Sequence, residues 1–387
     1  MSEKRPTLFA TVVTARIVRA FGFGLMSVAF ALYLGDRGFT PFEIGATLTL
    51  ALLSGAVFLA ASASIVRVMG RRGALLGAAA AMCVAGILLG LPGNAFPIIV
   101  ACLLGTLSAG AQEVGPFAAI EQHAVAESVT PQTSAHSFAI YNLAGAFALA
   151  LGALAAAVIP VGLTPLAYAI CGLALFAVYL MLPSELRGDA QEAKERRPRQ
   201  LGAAERLALL FGVDALAGGF VVQSFLAYWL HVRFGADDHI LGLVLFGANT
   251  LSALSYLVAA RLSQAIGLLQ TMVFTHLPSN ILLCIVPLMP SFESASVVLM
   301  ARFALSQMDV PTRQAFTMEA VAPEDRAYAA ALTNAVRPAA AAIAPIFSGL
   351  AMQAAYLALP FFIAGGLKIA YDIAIFRAFR RRPAGPE

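Results

Sequence analysis

Charge is what this chain has least of. Asp, Glu, Lys and Arg make up 12% of its 387 residues, against about 25% in a soluble domain, and that scarcity excludes a water-soluble globular protein. Cysteine is sparse as well: Cys83, Cys102, Cys171 and Cys284 all fall inside apolar runs, where they read as small core residues rather than a disulfide framework or metal site. An intramembrane metalloenzyme would need a pattern such as H-E-x-x-H, and "EQHAVAE" (121–127) lacks the second histidine. A glycine-rich phosphate cradle is missing too, which removes a nucleotide as the energy source. So is any regular polar/apolar alternation, and with it an outer-membrane barrel. The net charge of +4 comes without an aromatic-interleaved basic patch, so no nucleic-acid partner is expected.

What is present is lipid-compatible sequence: 60% hydrophobic residues and a mean hydropathy of +0.83. Apolar stretches long enough to span a bilayer fall at 8–34, 41–66, 73–91, 95–118, 135–160, 165–183, 206–231, 239–262, 269–289, 293–315, 327–352 and 356–379. Rich in Gly, Ala and Leu, they predict an all-α polytopic membrane protein with 12 transmembrane helices that pack through small residues. The first stretch is too long for a signal-peptide core and is read as an uncleaved helix. With the N-terminus in the cytoplasm, 18 of the 25 Lys and Arg lie on that side. The positive-inside rule therefore predicts an inner (cytoplasmic) membrane protein with both termini cytoplasmic.

Residues 184–205 form the one long polar stretch, a cytoplasmic linker between six-helix bundles at 1–183 and 206–387. The bundles repeat each other. A shift of 197 places Gly22 and Phe23 on Gly219 and Phe220, Ser27 on Ser224, Gly38 on Gly235, Gly45 on Gly242, Ala63 on Ala260 and Gly70 on Gly267. A shift of 195 pairs Gln112 with Gln307 and Pro116 with Pro311, so that "GTLSAGAQEVGPF" and "RFALSQMDVPTRQ" correspond. Each carries an acid just before the proline, Glu113 or Asp309.

Two six-helix repeats in the same orientation, joined by a charged loop, resemble the major facilitator superfamily over essentially the whole chain. Locally, "VRVMGRRGALL" (66–76) resembles the family's conformational loop between helices 2 and 3, with Gly70, Arg71 and Arg72 at the glycine and basic positions. Ala63 and Arg67 replace the expected glycine and aspartate. The stretch "NAVRPAAAAIAPIFSGL" (334–350) is family-like for helix 11, whereas Gly145 and Gly152 alone represent the helix-5 antiporter signature. The resemblance implies alternating access by two pseudo-symmetric halves, with helices 1, 4, 7 and 10 around a central cavity. Export is the direction it suggests.

Seven candidate site charges lie within the predicted spans: Arg16, Arg19, Glu113, Asp214, Arg302, Asp309 and Arg337. Each costs about 2.5–3.5 kcal/mol at mid-bilayer unless paired or hydrated. Six sit on the helices that the resemblance places around the cavity. Arg16, Arg19 and Phe23 share a helical face; so do Asp214, Phe225 and Tyr228, and so do Arg302, Ser306, Asp309 and Arg313. The expected substrate-binding set is Arg16, Arg19, Phe23, Asp214, Phe225, Arg302 and Arg337. Arg16 and Arg19 are expected to grip a carboxylate or phosphate, and Glu113, Asp214 and Asp309 to serve proton coupling or gating. Lys368 and Asp372, one turn apart, are expected to neutralise each other. His276 and Asn280 share a face and suit a hydrogen-bonded core position, and Tyr228 and Trp229 an interfacial belt.

The expected function is proton-coupled export of a small anionic, zwitterionic or amphipathic solute by a monomer, with no cofactor. A metal-ion exporter, which would need converging carboxylate, His or Cys ligands, and a non-transporting membrane sensor are the alternatives.

Overall fold

The computed structural model describes residues 4–110, 117–128, 131–183 and 202–380. Among them are fifteen α-helices and no strand. In order these are α1 (Lys4–Asp36), α2 (Pro41–Ala60), α3 (Ser62–Gly90), α4 (Phe96–Leu103), α5 (Phe117–Ser128), α6 (Pro131–Ala155), α7 (Thr164–Leu180), α8 (Ala203–Gly219) and α9 (Gln223–Phe234). Then come α10 (Asp238–Ile266), α11 (Leu268–Ile285), α12 (Phe292–Ser306), α13 (Asp309–Ala320), α14 (Arg326–Gln353) and α15 (Leu359–Phe379). Ten segments, one of them α8 and α9 together, are long and apolar enough to cross a membrane. The predicted spans 95–118 and 293–315 are each interrupted, as α4/α5 and α12/α13.

Local chemistry accounts for three interruptions. After α4 the chain turns at Gly105, whose φ of 67° is the left-handed conformation that glycine tolerates at a helix end. The α8/α9 break follows the pair Gly218–Gly219, a common site of helix disruption. Between α12 and α13 the cause is Pro311, which has no N–H to offer the carbonyl of Gln307 four residues earlier; that carbonyl accepts from Val310 N instead.

The repeat is visible in the backbone. Gly70 and Gly267, equivalent under the 197-residue shift, adopt φ/ψ of 71°/165° and 89°/162°. A residue with a side chain is strained there. Gly38 and Gly235 are a second positive-φ pair, at 82° and 67°.

The chain forms two compact units, residues 1–191 with 222–249, and residues 192–221 with 250–387. Their limits differ from the sequence halves because 222–249 packs on the first unit. Gln223 Nε2 donates to Ser27 Oγ at 2.9 Å, Ser224 Oγ to the Met26 carbonyl at 3.1 Å, and Ser224 N to the Ala109 carbonyl at 2.9 Å. Within this unit α1 meets α6 backbone to backbone, so that a Cβ on Gly24 would strike the Leu149 carbonyl and one on Gly152 the Phe21 carbonyl. In the second unit α8 meets α14 in the equivalent way, Gly219 lying against the carbonyl of Ala341. Such close approach is how membrane helices gain packing contacts where lipid removes any hydrophobic drive to associate. Large apolar side chains including Val57, Phe96, Val158, Leu209 and Val297 are exposed, as a lipid-facing surface requires.

Candidate functional site

Each unit buries one charge cluster. In the first, Arg19 and Glu121 both have 0% exposure, and Arg19 Nη1 lies 2.7 Å from Glu121 Oε1. Tyr179 OH donates to Glu121 Oε1 and Tyr141 OH to Oε2, both at 2.6 Å. The Arg19 guanidinium sits 4.9 Å from the centroid of Phe117, a cation–π contact. Phe23 and Tyr179 pack against the same Phe117 ring. Arg16 stands over the Tyr141 ring at 5.1 Å, its guanidinium in the space that a Cβ on Gly145 would take.

This corrects the expectation for Arg19. Its positive charge is taken by Glu121, and protein encloses the pair, so Arg19 is not open to a solute. The expectation failed because the predicted span stopped at residue 118, whereas α5 carries helix through Glu121. Glu113 lies outside the described residues.

The second cluster is centred on Asp214 of α8, which is 2% exposed. Lys368 Nζ lies 2.5 Å from Asp214 Oδ1, Arg337 Nη1 3.1 Å and Arg313 Nη1 3.6 Å from Oδ2, and His276 Nε2 3.7 Å from Oδ1. Arg313 also pairs with Asp309 one turn away. On the far side of the imidazole, His276 Nδ1 donates to Asp372 Oδ1 at 2.8 Å, and Asn280 Nδ2 donates to Asp372 Oδ2 at 2.9 Å. Helices α8, α11, α13, α14 and α15 all contribute.

Asp214 and Arg337, both expected site residues, are thus brought together. Lys368 and Asp372 are not. They diverge to Asp214 and to His276, because each finds a partner on another helix that is better placed than its neighbour on its own. The expected stripe from Arg302 to Arg313 is cut by the break after Ser306, which leaves Asp309 with Arg313 rather than Arg302. The helix-7 face is cut likewise: Asp214 belongs to the second unit, while Phe225 and Tyr228 are buried in the first. Trp229 is fully buried, edge-on to Phe234 at 5.7 Å, and so does not form an interfacial belt. In the predicted conformational loop, Gly70 makes the kink, Arg71 is buried, and Arg72 Nη2 donates to the Leu180 carbonyl at 2.8 Å. Sequence reasoning missed Glu121, Tyr141 and Tyr179 as cluster members; a tyrosine inside an apolar span, with a hydroxyl to satisfy, was the available signal.

Arg302 differs from these. Its guanidinium lies 4.9 Å from the neighbouring Phe303 ring, and its buried Nε has no hydrogen-bond partner. No carboxylate pairs with it among the described residues. One turn on, the hydroxyl of Ser306 is also buried and without a partner. Both lie on one face of α12, directly before the helix break. A guanidinium whose buried Nε has no hydrogen-bond partner and a buried hydroxyl without one, at the end of a discontinuous helix, form an arrangement suited to an anionic group. Among the described residues no three His, Cys, Asp or Glu side chains gather as a metal-ligand set.

Helical segments of membrane-spanning length, an internal repeat and buried charge clusters define a polytopic membrane protein with a transporter fold. The chain belongs to the Major Facilitator Superfamily, whose family model matches residues 12–301. An uncharacterized membrane protein of Saccharomyces cerevisiae, YJR124C, is 23% identical, the alignment covering 92% of this chain and 91% of the relative. Among solved structures, the nucleoside transporter NupG superposes with a TM-score of 0.76 at 14% identity, over 97% of this chain and 100% of that one. A D-xylose–proton symporter gives 0.74 at 15% identity, over 97% and 98%. The human organic anion transporter MFSD10 gives 0.67 at 15% identity, over 97% and 100%.

Proposed function

We propose that the protein is a secondary active transporter that carries a small anionic, zwitterionic or amphipathic organic solute across the cytoplasmic membrane by alternating access, with an anionic solute favoured by the residues. Two pseudo-equivalent halves, 1–183 and 206–387, joined by a cytoplasmic linker, rock about a central site. The protein works as a monomer, with protons as the energy source and export as the direction. The observation that carries the substrate class is Arg302, a guanidinium in the helix-10 region without a carboxylate partner among the described residues. Arginine keeps its charge in proteins, so a solute that brings a carboxylate or phosphate supplies the missing counter-charge.

Support for this reading comes from two fold relatives, one an organic anion transporter and the other a proton symporter. The absence of a phosphate-cradling loop from the sequence favours ion coupling over a nucleotide. Reconstitution into liposomes with an imposed pH gradient, followed by a screen of anionic, zwitterionic and neutral solutes, tests it. Gradient-driven movement of an anionic solute is the expected result. Equal movement with and without the gradient would remove the proton, and movement of neutral solutes alone would remove the anion.

A further inference from the structure

The Asp214 cluster contains three carboxylates, Asp214, Asp309 and Asp372, and three permanent cations at neutral pH, Arg313, Arg337 and Lys368. These balance. The remaining ionisable group of the set is His276, and imidazole is the side chain whose charge ordinarily changes between pH 5 and 8. Its two ring nitrogens are held between two carboxylates on different helices. Nδ1 donates to Asp372 Oδ1 of α15 at 2.8 Å, and Nε2 lies 3.7 Å from Asp214 Oδ1 of α8. With Nδ1 committed as a donor, a neutral ring turns a lone pair toward the Asp214 carboxylate; a proton on Nε2 turns that contact into an attraction.

We propose that His276 is the proton-carrying residue of transport, taking the coupled proton on Nε2, toward Asp214, while Nδ1 stays bonded to Asp372. The assignment rests on the proton-coupled reading above and moves the proton from the carboxylates to the imidazole. Protonating Asp214 instead would strip Lys368, Arg337 and Arg313 of their common counter-ion. Protonating Asp372 would disturb the contacts of His276 and Asn280.

The groups around His276 from each packed element are consistent with a local switch. On α8 the facing group is Asp214. From α13, Arg313 reaches Asp214, with Asp309 behind it. From α14, Arg337 reaches the same carboxylate. On α15 stand Lys368, Asp372 and Tyr371, whose ring meets the imidazole edge-on at 6.0 Å. From α12, the Arg302 carbonyl accepts from Ser279 of α11 at 3.4 Å. Proton arrival takes the set from neutral to +1 and tightens α11 onto α8. The chain passes from the second unit to the first at residues 221–222, directly after α8 ends.

Two measurements without added solute test the proposal. The first is ¹⁵N NMR of histidine-labelled protein in nanodiscs, using a variant in which His123, His136, His231 and His239 are replaced by Gln, leaving His276 as the one imidazole. The expected result is an Nε2 resonance that passes from the neutral to the protonated form as the pH is lowered, and a ring locked in one protonation state at every pH overturns the proposal. The second is hydrogen–deuterium exchange of wild type and His276→Gln, each at two pH values after correction for intrinsic rates. Exchange in α8 and α11 is expected to depend on pH in the wild type and to lose that dependence in H276Q. Identical behaviour of the two proteins overturns the proposal. A liposome assay with no gradient-driven solute movement would instead sink the proton-coupled reading, while a titrating His276 with pH-dependent exchange would still stand.

Discussion

Lys368 Nζ lies 2.5 Å from Asp214 Oδ1, although 154 residues separate the two in sequence. Lys368 has an acid of its own helix one turn away, Asp372, and bypasses it. The reason is the environment of Asp214: a nearly inaccessible carboxylate that serves as the shared anion for cations from α13, α14 and α15. Neutralising it is therefore expected to harm the fold more than neutralising any one of its partners. Removing one member of a buried ion pair costs about 3–5 kcal/mol, because the other is left uncompensated. Asp214→Asn should lose stability on that scale. Lys368→Met should lose less, since Arg337 and Arg313 remain. Thermal and denaturant unfolding in detergent compares them, and a larger loss for Lys368→Met would contradict the arrangement.

In the other cluster, Arg19 and Glu121 form a pair closed off by two tyrosines. Arg19→Met and Glu121→Gln should each destabilise by about 3–5 kcal/mol. The double variant should lose less than the sum, by about 2 kcal/mol or more, as expected for side chains in direct contact. A double-mutant cycle read by unfolding measures this coupling. Strict additivity would mean that the two do not depend on each other.

Close helix packing gives a third expectation. Gly24→Ala or Gly152→Ala drives a methyl group into a backbone carbonyl of the facing helix, and should cost about 1–3 kcal/mol by overpacking. Gly366 serves as a control in α15, because a Cβ there meets nothing within 4 Å. Gly366→Ala should be neutral or mildly stabilising, given the better helix propensity of alanine. Melting temperatures of the three variants check the contrast, and equal effects would argue against the α1–α6 contact.

The repeat was readable in the sequence because glycines forced into positive φ leave no choice of residue. Gly38 with Gly235, and Gly70 with Gly267, keep both identity and conformation across the shift. Apolar spans were readable for the general reason that lipid must be faced by apolar side chains. Ion-pair partners were much less so. Glu121 reads as the end of a span when hydropathy is averaged along the chain, yet α5 keeps it buried because Arg19, Tyr141 and Tyr179 arrive from α1, α6 and α7. The bypass of Asp372 by Lys368 has the same cause, since pairing across helices has no one-dimensional signature. Local spacing finds neighbours on one helix, and here the stronger partners sit on others. Helix breaks were half visible: Pro311 and the Gly218–Gly219 pair are plain in the sequence, but their effect on which residues share a face is a matter of the folded backbone.

Arg302 bears most directly on the transport account. The deciding measurement is pH-gradient-driven flux of a transported organic anion in proteoliposomes, compared among wild type, Arg302→Lys and Arg302→Ala at equal protein incorporation. A charge-assisted hydrogen bond is worth about 1.5–3 kcal/mol, so Arg302→Ala should weaken apparent anion affinity by about tenfold or more, with Arg302→Lys intermediate. Flux by Arg302→Ala at the wild-type rate and affinity would contradict the account.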